Sequence, residues 1–237
     1  MRKSFLMLFL LFFTLSFSGC LGTQNTAQVQ KATLTGTVHD SLSGLALWSG
    51  QVVIGDQSAA IKGGIFEIKN ISPGSYTLRI TNPFYHPLEQ KVIISNSNIT
   101  LTDLKLRPAF TSEELDLFAR LVHAEAKGES YVGQVAVAAT VLNRILSPDF
   151  PNSLEAVIKQ VVVVGATKYY QYEPVLNGSI DFPAGDSAKN AVLDALAGWD
   201  PSLGATGFFA PAKVPKSSKY VWSRPVTTNI GNHRFIK

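Results

Sequence analysis

Leu115, Phe118, Val122 and Glu125 stand three, four and three residues apart, which puts them on one face of a helix. The start of that helix is written in the residues before it. Thr111 can cap it, Glu114 stands three residues on, and Phe110 and Leu115 occupy the positions of a hydrophobic staple. Three members of the stripe are apolar and the fourth is a carboxylate. A carboxyl group at the end of such a stripe meets a packed, poorly hydrated surface, where desolvation disfavours the charged form and raises the pKa. An acid that keeps its proton near neutral pH suits general acid catalysis of glycosidic cleavage. The alternative is that Glu125 merely caps the helix or pairs with Arg144 or Lys127.

Gly128 follows as a helix terminator that tolerates positive φ. Ser130 can start a second helix, and Val132 to Ile145 is apolar on most sides, with Ala136, Ala138 and Ala139 small enough for close contact. A helix apolar nearly all round is a buried one. Ser147-Pro148 ends it, because the residue before proline avoids the helical region. Glu125 is thus expected at the end of one helix, beside a second buried one.

The first residues are separate in character. Arg2 and Lys3 precede an uncharged run, Phe5 to Phe17, too short to span a membrane and shaped like a secretory signal. Ser18 and Gly19 then precede Cys20, the only cysteine, which resembles a lipoprotein signal with Phe17 in place of the usual small or aliphatic residue. Residues 1–19 are read as the signal peptide and 20–31 as a polar tether lipidated at Cys20, holding the protein outside the cytoplasm on a bacterial membrane. The alternative is plain secretion or a membrane anchor with an incidental cysteine. Without Arg2 and Lys3 the 21 basic residues fall to 19 against 17 acidic ones, which is no nucleic-acid footprint. A single cysteine gives no disulfide framework, so the cores must hold the domains.

Residues 32–107 carry short β-rich runs, Ala32–Val38, Gln51–Ile54, Ile65–Ile68, Ser75–Ile80, Gln90–Ile94 and Ile99–Leu104, separated by glycine and proline turns. The spacing predicts an antiparallel sandwich. Beyond Arg107-Pro108, residues 108–237 read as mainly helical. Asn152 or Ser153 caps a short helix through Gln160, Val161–Val164 is either a buried strand or a helix continuation, and Asp186 caps a helix to Ala197 with Gly198 past its end. Asn229-Ile230-Gly231-Asn232 marks a terminal hairpin. The fold class is therefore multidomain α+β.

The β segment resembles the carboxypeptidase-regulatory-like domains, through Gly36-Thr37-Val38-x-Asp40, Ser43-Gly44, Gly64-x-Phe66-x-Ile68 and Ile71-x-Pro73-Gly74-x-Tyr76-x-Leu78. That resemblance implies a transthyretin-like sandwich acting as spacer or binding module. Tyr76, Phe84 and Tyr85 are read there as core and turn residues, against a carbohydrate-stacking role.

The remainder resembles the spore-cortex-lytic, or cell-wall-hydrolase, family. The matching residues run from Ala119-Arg120-Leu121-Val122-x-Ala124-Glu125-Ala126-Lys127-Gly128-Glu129 through Gly133 to Ala139 and on to Leu142-Asn143-Arg144. Further matches are Phe150-Pro151-Asn152, Gln171-Tyr172-x-Pro174-Val175-x-x-Gly178, Ala195-Leu196-x-Gly198-Trp199-Asp200-Pro201 and Ile230-Gly231-x-His233-x-Phe235. Lys127 replaces the usual arginine, and Val161 to Tyr170 looks longer and more apolar than its counterpart, which leaves one cleft wall open. The resemblance implies a lysozyme-like domain with a small terminal hairpin that cleaves peptidoglycan glycan strands, without cofactor or metal, as a lytic transglycosylase with Glu125 as its catalytic acid. One carboxyl suffices when the attacking hydroxyl belongs to the sugar; a conventional glycosidase needs two, roughly 5 to 9.5 Å apart. Glu129, Asp149, Glu173 and Asp181 could each supply the second. Gln171 and Tyr172 are expected to line the sugar cleft, with Tyr172 stacking on a ring. Glu129 and Asn143 are assigned to substrate binding chiefly as residues that orient the Glu125 loop. His233 is read as a structural hydrogen-bonding residue.

Two rival functions remain. A zinc amidase would use His123, Glu125 and His233, but His123 and Glu125 are two apart on a helix and point to nearly opposite sides, and there is no HExxH. The other rival is a wall-binding lipoprotein without activity.

Overall fold

The computed structural model describes residues 30–237. The signal peptide, Cys20 and nearly all of the tether lie outside the described residues. Two sheets come first. One has the order β4-β1-β7 and the other β3-β2-β5-β6, where β1 is Ala32–Asp40, β2 Gln51–Ile54, β3 Gln57–Ala60, β4 Ile65–Ile71, β5 Gly74–Asn82, β6 Tyr85–Ile94 and β7 Ile99–Leu106. In β1 every second residue is buried, the period of a strand with one face on a core. Leu34, Val38, Val52, Ile54, Phe66, Ile71, Leu78 and Ile80 fill that core. Gly36 is needed where β1 passes Phe66, because a Cβ there would overlap the ring.

The expected all-antiparallel arrangement needs a correction. β1 pairs antiparallel with β4 but parallel with β7. The strand β3 was not expected at all, since Gln57-Ser58-Ala59-Ala60 carries no apolar alternation; β2 recruits it through the turn at Gly55, φ +59°. Asp40 is structural. Its Oδ1 accepts from the backbone of Leu42 and Ser43, both at 2.7 Å, and shapes the turn after β1. Tyr85 is buried and offers no sugar platform, and the half-buried Tyr76 donates its hydroxyl to the Ser72 carbonyl at 2.9 Å.

The helical part follows with α1 Ser112–Ala126, α2 Tyr131–Leu146, α3 Leu154–Ile158, a hairpin of β8 Val161–Val164 and β9 Thr167–Tyr170, α4 Glu173–Asn177 and α5 Asp186–Ala197. A three-stranded sheet of order β10-β12-β11 closes the chain, with β10 Gly207–Phe209, α6 Lys219–Trp222, β11 Val226–Ile230 and β12 His233–Ile236. Thr111 and Glu114 form the capping box of α1, with hydrogen bonds of 3.2 and 2.9 Å. α2 is the buried rod: every residue from Gly133 to Leu142 is out of solvent, and α1, α3 and α5 pack around it.

Three local expectations are corrected. Gly128 does not take positive φ; α1 ends instead through Lys127 N–H to the His123 carbonyl and Glu129 N–H to the Ala126 carbonyl. Gly185, not Asp186, caps α5, while Gly198 ends it at φ +108°. Val161–Val164 is a strand, and an exposed one, with Val163 61% and Val164 62% accessible.

The two parts touch at definite points. Phe84 stacks on Phe110 at 6.2 Å between ring centres, Trp48 N–H donates to the Ala197 carbonyl at 2.7 Å, and Ala197 is buried in the β core. Phe110 thus meets the β5–β6 turn as well as the helical core.

Candidate active site

Glu125 sits one residue before the end of α1, on the face that carries Phe118 and Val122 into the core. Its carboxyl group opens into a cleft of about 380 Å³ walled by α4, β10, the loop after β10 and β12. Glu173, Phe208, Phe209, Lys213 and His233 share that cleft. Burial first, and the negative charge of Glu173 second, raise the Glu125 pKa to about 7, against the opposing pull of Arg144 and Lys213. Glu125 forms no ion pair among the described residues. The alternative in which Arg144 neutralises it fails for a geometric reason. Arg144 is buried, its Nε donates to the Thr206 carbonyl at 2.6 Å, and its guanidinium lies 4.9 Å from the ring centres of both Phe150 and Tyr172. The group is held in place by a carbonyl and two rings, and acts on Glu125 only through space.

The loop that carries Glu125 is pinned from the far end of the chain. The Glu129 carboxylate accepts from Asn232 N–H at 2.9 Å and from Asn232 Nδ2 at 3.0 Å. Burial pushes this carboxyl up, but the Asn232 donors, with His233 and Lys213, outweigh it and hold it below the usual range. The turn carrying Asn232 needs Gly231 at φ +57°, where a Cβ would collide with the Glu129 carboxylate. Asn143 is equally occupied: its Nδ2 donates to the Ala205 carbonyl at 2.9 Å and to Asp200 at 3.0 Å.

Tyr172 and Gln171 are the assigned residues that the structure places against expectation. Tyr172 is 2% exposed, packed in the helical core, and has no face left for a sugar ring. An aromatic residue in a motif looks the same whether it lines a cleft or supports it, so the sequence carried no signal to separate the two. Gln171 lines a different opening from the one holding Glu125. Of the four acids that could be a second carboxylate, Glu173 alone shares the Glu125 cleft; Glu129 is bound to Asn232 and Asp149 lies on the other groove. Lys213 was not anticipated, because it lies in an irregular Pro-rich loop without periodicity. His233 is buried between Phe208 and Phe235, and desolvation holds its pKa below the usual value. His123 meets Gly185, whose N–H donates to its Nδ1 at 3.3 Å. Among the described residues no three His, Cys, Asp or Glu side chains group as a metal site.

Glu125 is thus an acid of raised pKa in an open cleft, on a helix end clamped by a terminal hairpin. The family model described as Cell Wall Hydrolase matches residues 128–236. That match covers the clamp, the cleft walls and the terminal sheet, and begins three residues after Glu125. A spore cortex-lytic enzyme from Halalkalibacterium halodurans is 43% identical over 126 residues, which cover 53% of this chain and 35% of that protein. The spore cortex-lytic enzyme of Bacillus subtilis is 41% identical over 128 residues, covering 54% and 39%. Among solved structures, the catalytic domain of the germination-specific lytic transglycosylase SleB from Bacillus anthracis is 39% identical, covers 54% of this chain and 98% of that domain, and superposes with a TM-score of 0.48. The chain spans less than half the length of these two curated relatives.

Proposed function

We propose that the cell-wall-hydrolase region cleaves the glycan strands of peptidoglycan as a lytic transglycosylase. Glu125 protonates the oxygen between N-acetylmuramic acid and N-acetylglucosamine, and the C–O bond to C1 breaks. The resulting carboxylate then takes the proton from the C6 hydroxyl of the same muramic residue as that oxygen attacks C1. The product is a 1,6-anhydro end, and Glu125 regains its proton. The observation that carries this reading is the Glu125 carboxyl itself: open to a cleft, without an ion-pair partner among the described residues, and with a pKa raised to about 7. The names of the relatives, which speak of cortex lysis and of a lytic transglycosylase, support the same substrate class.

Digestion of purified peptidoglycan followed by mass spectrometry tests the proposal. Anhydro-muramyl ends are expected, and Glu125→Gln lowers their release by about 100- to 10,000-fold with the fold intact. An active Glu125→Gln chain would falsify the assignment. A second reading is favoured by Glu173, the other carboxylate of the cleft. If Glu173 activates a water, the products are reducing ends and the enzyme is a hydrolase.

The same reading extends to the whole chain. Cys20 carries a lipid on a bacterial membrane, residues 32–107 act as a transthyretin-like spacer or binding module, and the enzyme works outside the cytoplasm on wall within reach of its anchor. Metabolic labelling with a fatty-acid analogue, lost in Cys20→Ser, is the expected outcome for the anchor.

A further inference from the structure

No residue of the β8–β9 hairpin belongs to the helical core. Its two strands pair only with each other among the described residues, with Val161 opposite Tyr170, Val162 opposite Tyr169, Val163 opposite Lys168 and Val164 opposite Thr167. Neighbours along a strand point to opposite faces, so Val162, Val164 and Tyr169 share one face and Val161, Val163 and Lys168 the other. Both faces are bare. Exposure rises along β8 from 36% at Val161 and 41% at Val162 to 61% at Val163 and 62% at Val164, so the ribbon stands out from the body with its valines leading. The turn beyond them, Gly165-Ala166, is uncharged and exposed.

Cations and tyrosines surround the base of this ribbon. Val162 lines a groove of about 610 Å³ together with Leu146, Tyr220 and Arg224, so the end of α2 and the α6 region flank the hairpin. Tyr169 and Tyr220 are exposed, each with a hydroxyl at the end of an apolar ring. Lys168 and Arg224 are in no ion pair among the described residues, whereas Lys159 is held by Glu155 at 2.6 Å. Asp149 is the one acid that lines the groove. The sequence here is otherwise of one sign: no acid lies between Glu155 and Glu173, and none from Pro201 to Lys237, where six Lys and Arg stand. An uncharged tip, tyrosines beside it and a positive base match, layer by layer, the acyl boundary, the interface and the phosphates of an anionic bilayer. A sugar needs hydrogen-bond donors and a ring to stack on, and the tip supplies neither. A second copy would cover one face or one edge and leave the other face wet. A lipid boundary surrounds both faces at once.

We propose that the β8–β9 hairpin is a membrane finger: Val163 and Val164 enter the boundary between headgroups and acyl chains of an anionic phospholipid bilayer, and Lys168 and Arg224 meet the lipid phosphates. Four paired residues of strand reach about 13 Å, enough for the roughly 5–10 Å depth of that boundary. The outer edges of a two-stranded ribbon carry backbone groups without partners, which keeps it at the boundary and out of the hydrocarbon centre. Lys168 lies on the Val163 face, and its long apolar stem lets the ammonium reach back to the phosphates as the tip sinks. The finger requires neither cleavage at Glu125 nor a lipid on Cys20.

Fluorescence quenching from within the bilayer, measured on the full chain, tests the finger. Val164→Trp puts an indole at the exposed tip, and the wild type gives the background of Trp48, Trp199 and Trp222. Vesicles of phosphatidylglycerol brominated high on the acyl chain are expected to quench the added indole. Ile93→Trp, at a 76% exposed position on the β part, is expected to stay unquenched. Lys168→Glu in the Val164→Trp chain is expected to lower the ratio of quenched to unquenched indole by about tenfold or more, the factor that reversing one charge beside an anionic surface gives. No quenching of Val164→Trp overturns the proposal. So does equal quenching of Ile93→Trp and Val164→Trp, which an amino-terminal tether alone would produce. Quenching that phosphatidylcholine vesicles match and Lys168→Glu leaves unchanged overturns it as well. A tip indole whose emission shifts to the blue with protein concentration, without vesicles, assigns the hairpin to a second copy and overturns the finger too. None of these measurements reads activity, so their outcome stands apart from that of glycan cleavage.

Discussion

At the scale of single residues, the proton on Glu125 decides what this site can do. Activity on peptidoglycan is expected to fall as pH rises through about 7, where Glu125 ionises. Glu173 is the second cause of the raised pKa, while Arg144 on α2 and Lys213 on the loop after β10 oppose it. Glu173→Gln should therefore move the alkaline limb of the pH profile to lower pH, and a profile that does not move denies Glu173 this influence. The same proton has a cost in stability. An unfolded chain loses it near the ordinary value of 4.5, the folded chain only near 7, so Glu125 withdraws stability as pH rises through that window. Glu125→Gln is expected to be more stable than the wild type by about 1–3 kcal/mol at pH 8 and equal to it at pH 4, measured by urea denaturation. Glu125 was legible because helical periodicity ties it to Leu115, Phe118 and Val122. Tyr172 and Glu173 were not separable, because adjacent residues in an irregular motif carry no period that says which one faces the cleft.

At the scale of elements, the capping box and the hairpin clamp hold the two ends of the segment that bears Glu125. Thr111→Ala removes an acceptor from the first turn of α1 and is expected to cost about 1 kcal/mol, read as a lower denaturation midpoint. Asn232→Ala takes the side-chain donor from Glu129 and leaves the backbone N–H in place; it should leave the melting point little changed while lowering kcat, since it loosens the loop after α1 without emptying a core. An Asn232→Ala chain with full kcat would show that the side-chain half of the clamp is not needed for catalysis. The capping box could be read from Thr111 and Glu114 alone, because its hydrogen bonds are local. The clamp could not, because Asn232 lies 103 residues from Glu129 and only the closed sheet brings them together. The hairpin β8–β9 was ambiguous for another reason. Four consecutive valines fit a buried strand or a helix equally, and neither prospect anticipates a pair of strands standing in solvent.

At the scale of the whole molecule, Phe84, Phe110, Trp48 and Ala197 join the β part to the helical part. Phe84 packs against both cores, so Phe84→Ala is expected to cost about 2–3 kcal/mol and to split a single unfolding transition into two, seen by calorimetry. Both parts were legible as classes, from turn spacing in one and helical periodicity in the other; their contact was not, since the aromatic residues involved read equally well as ordinary core. The parallel partnership of β1 with β7 has a further consequence. The Thr33 backbone meets the Asn98 side chain across 65 residues of chain. Bringing such distant ends together costs about 4 kcal/mol of chain entropy before any contact repays it. A nascent chain must therefore keep its first strand unpaired on one edge until the seventh has emerged, which makes the interval between them the period of greatest exposure to proteases and to self-association.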